Sequence, residues 1–132
     1  MHERTAIRNS ALSILDDAAP PGWTLRKGRG RAVSIEECPV LELAIPNEPT
    51  QRGAQRKRRE PVLTVTTYIA EGEDGDTASD DAAVWIEAAL DADPTLGGVC
   101  QDATHANTEI APYAGGETPV WEMTLTYNLR VS

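Results

Sequence analysis

Residues 80–100 read DDAAVWIEAALDADPTLGGVC, and the reading of this stretch decides the fold. Ala82, Trp85, Ile86, Ala89 and Leu90 recur at three- and four-residue steps, which puts them on one face of a helix. Ser79, Asp80 and Asp81 precede them with the side-chain acceptors and negative charge that suit a helix N-terminus, so they are read as its cap. Pro94 disfavours helix at Asp93, Gly97-Gly98 allows a sharp reversal, and Val99 opens an extended run. A one-faced helix that stops cleanly and turns into a strand needs a sheet to cover, which points to an α+β domain.

The flanking sequence supplies that sheet. Residues 3–17 form a first amphipathic helix with Ile7, Ala11, Ile14, Leu15 and Ala18 on its stripe, ended by Pro20-Pro21-Gly22. A short strand is expected from Trp23 to Lys27, then a turn at Gly28 to Arg31 and a short extended piece at Ala32 to Ile35. Pro39 to Ile45 alternates, with Leu41, Leu43 and Ile45 on one side and Val40, Glu42 and Ala44 on the other; Pro46 closes it. Residues 47–60 lack any apolar period and are read as a long, mobile loop. Pro61 to Ala70 is the next strand, followed by an acidic loop, read as mobile, over 71–79.

Past the second helix, Val99 to about Ile110 is a weaker strand, and Gly115-Gly116 lie in a hairpin connection spanning Pro112 to Pro119. The last strand alternates best. Trp121, Met123, Leu125, Tyr127, Leu129 and Val131 share one face, and Glu122, Thr124, Thr126, Asn128 and Arg130 share the other. The expected order is α-β-β-β-α-β-β: one domain over residues 1–132, with a mostly antiparallel or mixed sheet and both helices on one face. The opposite face, rich in Thr64, Thr66, Thr124 and Thr126, is left for solvent or a partner subunit.

At 132 residues with 40% hydrophobic content, the chain can build one core, burying about two-thirds of its unfolded surface. Phe is absent, so three Trp, three Tyr and the aliphatics must fill it. No apolar run approaches the roughly 18 residues of a membrane span, and the charged start MHERTAIRNS does not resemble a signal peptide. Cys38 and Cys100 form no disulfide framework and are expected to be reduced, buried thiols. The net charge of −9 argues against nucleic acid as the main partner.

The charge is unevenly placed. Arg52, Arg56, Lys57, Arg58 and Arg59 form a basic pole; without those five of the 12 basic residues, 7 face 21 acidic ones. Glu71, Glu73, Asp74 and Asp76, with Asp80 and Asp81 beyond them, form an acidic pole. Either can be a solvated loop, or the two can serve as complementary protein-interface patches in head-to-tail or face-to-face assembly.

Sites with recognisable chemistry are missing. His2, Cys38, Cys100 and His105 are scattered, with neither a C-x-x-C nor an H-E-x-x-H spacing, so no metal is expected. The run EGEDGDTASDD fails the EF-hand pattern, having Ser79 at its glycine position and no closing Glu, and leaves room only for weak divalent-cation binding. There is no G-x-S-x-G, no P-loop and no dinucleotide-binding loop, and His105 is the one internal histidine. No cofactor is expected. The basic run lacks interleaved aromatics for stacking on bases, so specific nucleic-acid recognition is not expected either.

The chain resembles the minor tail protein U family, the tail terminators of long, non-contractile phage tails. The resemblance runs over nearly the whole length: the helical lead MHERTAIRNSALSILDD, the segment GRGRAVSIEECPVLEL, the strand and acidic loop LTVTTYIAEGEDGD, the LGGV turn and the closing strand PVWEMTLTYNLRVS. It implies a non-enzymatic virion protein of the tail, assembled in the host cytoplasm. Such a protein forms a ring, as a hexamer in the family, that caps the tail tube at its head-proximal end. It stops polymerisation of the major tail tube protein and offers a surface to the head-completion or connector protein, with genome DNA passing through the ring. Another head–tail joining, neck or tail-completion protein is the alternative. A small enzyme or ligand-binding module is the third reading; it would require a concave pocket with convergent polar groups.

Overall fold

A computed structural model describes residues 3–27, 39–47, 50–52, 57–59, 61–70, 75–113 and 120–131. The elements are α1 (Glu3–Ala18), β1 (Thr24–Lys27), β2 (Val40–Asn47), β3 (Thr50–Arg52), β4 (Lys57–Arg59), β5 (Val62–Ala70), α2 (Gly75–Asp91), β6 (Asp102–Tyr113) and β7 (Val120–Arg130). Five strands form one mixed sheet in the order β1-β2-β5-β7-β6, and β3 pairs with β4 in a separate ribbon. Around the main sheet the elements follow the expected α-β-β-β-α-β-β order. Only β1 and β2 are parallel; the other neighbours in the sheet are antiparallel.

The last strand lies inside the sheet. β7 pairs with all nine residues of β5, from Val62 opposite Asn128 to Ala70 opposite Val120, and with β6 on its other side. Its apolar row of Met123, Leu125, Tyr127 and Leu129 is therefore buried by neighbours on both sides and by helix above. Ile7, Ala11 and Leu15 of α1 and Ala82, Ile86 and Leu90 of α2 join that row in one core, so both helices cover the same sheet face. Ala18, expected on the α1 stripe, is exposed; Ile14 and Trp121 are half-buried.

Three expectations need correction. The first concerns residues 47–60, read as a loop. β2 extends through Pro46 to Asn47 with a register shift between Ala44 and Asn47, and β3 and β4 then pair with Arg52 opposite Lys57. A ribbon polar on both faces has no hydrophobic period, so the pattern that reveals an amphipathic strand is missing.

The second concerns residues 71–79. α2 starts at Gly75, not at Asp80. Ala78 packs against the core and Ser79 is fully buried, so the buried stripe gains one helical turn at its start, and Ser79, Asp80 and Asp81 lie inside the helix and do not cap it.

The third concerns the helix-free face. Its β2 residues Val40, Glu42 and Ala44 are buried, whereas Thr64, Thr66, Thr124 and Thr126 are half-exposed. The extended piece proposed at Ala32 to Ile35 lies outside the described residues, as does Cys38.

The turn after α2 is built from its own side chains. The Gly97 N–H donates to Asp93 Oδ2 at 2.9 Å, Thr95 Oγ1 donates to Asp93 Oδ1 at 3.0 Å, and the Gly98 N–H donates to Thr95 Oγ1 at 3.2 Å. Leu96, Gly97 and Gly98 have φ of 51°, 75° and 93°. Two glycines carry that backbone without cost from a Cβ, and Leu96 accepts it because its side chain is fully buried in the core. The turn aims the chain into β6 on the far side of β7.

Ser79 Oγ is buried without a hydrogen-bond partner among the described residues. Ser79→Ala is therefore expected to raise stability by roughly 1 kcal/mol, by removing an unpaired hydroxyl and improving helix propensity. A capping role would instead make the same change cost about 0.5–2 kcal/mol. Chemical denaturation separates the two outcomes. Leu125→Ala, in the middle of the buried row, is expected to cost about 2–5 kcal/mol in the same assay.

Candidate functional site

The residues expected to form two charged poles divide between described and undescribed segments. Arg52 sits on β3, and Lys57, Arg58 and Arg59 make up β4, so the basic pole is a β-ribbon. It is inserted between the end of β2 and the start of β5, at one end of the main sheet. Asp76 lies in the first turn of α2, where negative charge suits the helix N-terminus. Arg56, Glu71, Glu73 and Asp74 lie outside the described residues.

At the other end of the sheet is a feature that sequence reading missed. A half-open cavity of about 330 Å³ is lined by Pro20, Trp23, Pro39, Ile69, Ala70, Ala78, Asp81, Ala82 and Trp85. Four segments meet there: the connection between α1 and β1, the start of β2, the end of β5 and residues 78–85 of α2. Ala78, Asp81, Ala82 and Trp85 follow helical spacing along one side of α2. Trp23 and Trp85 meet edge to face, with ring centroids 5.4 Å apart and planes at 76°. Both indoles are half-buried, and Asp81 is the one charged residue in the lining. Trp85 has the spacing of a core residue; that it forms a wall becomes visible only when Trp23 and the two prolines arrive from elsewhere in the chain.

His105 lies on β6 beside a bulge. The register with β7 shifts between His105, opposite Tyr127, and Asn107, opposite Thr126. The extra residue reverses the alternation of β6, which is why that strand reads weakly in sequence. His105 Nδ1 is 2.9 Å from Glu87 Oε1 on α2, and Nε2 is 2.7 Å from Thr108 Oγ1 and 3.1 Å from the Asn107 carbonyl oxygen. The ring also lies against Tyr127, with centroids 5.1 Å apart.

Hydroxyl, imidazole and carboxylate thus stand in the order used for nucleophile activation. However, the backbone carbonyl competes for the same nitrogen, and Thr108 is exposed on an outer strand. The cluster ties α2 to the sheet edge. Burial, reinforced by the charges of Asp91 and Glu87, pushes the Tyr127 hydroxyl well above its usual range and keeps it neutral.

Cys100 is buried, its Sγ 3.6 Å from the Pro94 carbonyl oxygen, and burial raises its thiol pKa, which makes it a poor nucleophile. Among the described residues no three His, Cys, Asp or Glu side chains converge to hold a metal, and no helix is long and apolar enough to cross a membrane.

On the helix-free face, Arg26 Nε donates to Glu42 Oε2 at 2.8 Å, an ion pair whose carboxylate is almost fully buried. Thr66 Oγ1 and Thr124 Oγ1 are 3.4 Å apart in the same cross-sheet row. Glu122 lies one row away, and partial burial, with a smaller contribution from the Glu42 charge, raises its pKa above the ordinary glutamate range. No protein-family model matches the chain, and no curated protein matches it significantly.

The raised Glu122 pKa has a stability consequence. The folded chain holds the proton to higher pH than the unfolded chain does, so folding is penalised as pH rises through the folded value. Glu122→Gln is expected to raise the melting temperature at about pH 7, with the advantage shrinking as the pH approaches about 4. Thermal melts of both chains across that range check the sign.

Proposed function

We propose that this protein is a phage tail terminator, a virion subunit that assembles as a ring on the head-proximal end of a long, non-contractile tail. It ends polymerisation of the major tail tube protein and offers the surface on which the head joins. The observation that carries this reading is the chain-wide resemblance to the minor tail protein U family, from the helical lead MHERTAIRNSALSILDD through the LGGV turn to the strand PVWEMTLTYNLRVS.

The charge distribution supports it. A ring needs two different, mutually complementary patches on each subunit. This chain carries a basic ribbon with Arg52, Lys57, Arg58 and Arg59 at one end of its sheet, and exposed Asp80 and Asp81 on the helix that begins at the other. The protein acts by geometry, through the surfaces it presents, and not by catalysis; its described cavity has one charged lining residue and no converging acid–base pair.

Sedimentation of the purified chain, alone and with major tail tube protein, tests this reading: a ring is expected under assembly conditions. Monomer at every concentration and salt, with tube protein present, would overturn it. Position along the tail axis in virion images distinguishes a terminator from a neck or tail-completion protein, and a gene just upstream of a major tail protein gene is expected. Replacing Arg56, Lys57, Arg58 and Arg59 with Ser is expected to leave the melting temperature nearly unchanged and to lower assembly yield, with raised salt mimicking the loss. An unchanged yield refutes a role for the basic ribbon.

A further inference from the structure

We infer that the Trp23–Trp85 pocket receives a basic side chain from the β3–β4 ribbon of a second copy, so that copies join head to tail. This rests on the assembly reading above and names the contact through which it would occur.

The chemistry of the pocket selects the occupant. Its walls are indole, proline, alanine and the Ile69 side chain, and its charged residue is Asp81. A Lys or Arg side chain has a matching division, an apolar stem with a cationic head. An indole face attracts a cation through its quadrupole, and a nearby carboxylate adds charge attraction. The volume of about 330 Å³ lies at the small end of ligand sites, which run from about 300 to 1,000 Å³, and suits a side chain.

The surroundings reinforce the sign. The last turn of α1 carries exposed Asp16 and Asp17 and no basic residue, three positions before the pocket residue Pro20. Carboxylates at a helix C-terminus oppose the helix dipole, at a cost of about 0.3–1 kcal/mol each. Asp80 adds a further exposed acid beside Asp81. Exposed acids that flank the pocket residues in sequence, beside Asp81 in the lining itself, favour a cationic partner.

The topology makes that partner another molecule. β5 leaves the ribbon at Val62 and reaches the pocket at Ile69 and Ala70, a run of nine residues that spans roughly 26 Å at about 3.3 Å per residue. The paired strands of the ribbon have three residues each, about 10 Å. Donor and acceptor thus lie at opposite ends of the sheet. Two complementary patches so placed make a heterologous contact, which propagates from copy to copy until the rotation closes a ring.

The test uses two full-length variants with complementary defects. One has Arg52, Lys57, Arg58 and Arg59 replaced by Ser and keeps the pocket; the other carries Asp81→Lys, at an exposed position, and keeps the ribbon. Melting curves first establish that both fold. Each alone should self-associate at least tenfold more weakly than the unmodified chain by sedimentation velocity. Mixed, they should form dimers that grow no further, because only one productive contact can be made. Tryptophan emission of the ribbon-deficient partner should shift on mixing, and Trp23→Leu in that partner should reduce the shift. If the unmodified chain associates and Asp81→Lys associates equally well, or if the mixture stays monomeric, the ribbon–pocket contact is wrong while ring assembly stands. If the unmodified chain stays monomeric even at low salt and high concentration with tube protein added, both fall.

Discussion

The burial of β7 is the constraint on which the rest of the structure depends. It follows every other strand of the sheet in sequence, yet it occupies the sheet interior, between β5 and β6. Met123, Leu125, Tyr127 and Leu129 have no exposed surface, and they acquire their covering from α1 and α2 together with the strands on either side. Until β7 is in place, β5 and β6 have no bonded contact with each other. The helices likewise have only part of a surface to cover. Burying an aliphatic side chain of this size is worth about 1.5–3 kcal/mol, so this row is a large share of the margin of a small domain.

Two local devices make the central placement possible. The Asp93–Thr95–Gly97–Gly98 network reverses the chain after α2 and brings it past β7 to the outer position. The bulge at His105 then changes which side chains of β6 face the helices, and His105 bridges the result to Glu87 of α2. One imidazole holding a carboxylate, a hydroxyl and a backbone carbonyl fixes the helix over the sheet edge. The same geometry would suit a catalytic base in an enclosed site; on an exposed edge strand it is a fastening.

The two ends of the sheet differ in chemistry because they differ in what meets there. At the end where β2 leaves and β5 begins, the chain inserts a ribbon made of basic residues. At the opposite end, the chain after α1 and residues 78–85 of α2 come together around two indoles. The sheet separates a cationic element from an apolar pocket whose one charged lining residue is Asp81, and the proposed head-to-tail contact rests on that separation.

Much of this was legible in the sequence. Alternation in the last strand, the three- and four-residue steps in both helices and the Pro-Gly punctuation determined the main elements, their order along the chain and the shared helix face, because these depend on local periodicity and on which side chains avoid water. The tertiary structure alone decided the rest. Ser79 reads as a cap but lies inside a helix lengthened by packing at Ala78. Val40, Glu42 and Ala44 lie on the helix-free side of β2, which alternation does not mark as covered, yet they are buried. The basic run reads as a loop but forms a ribbon through backbone pairing, which leaves no mark on side-chain pattern. The pocket was invisible because Pro20, Trp23, Pro39 and Trp85 are far apart along the chain, and their convergence depends on sheet order and helix placement, which periodicity does not encode.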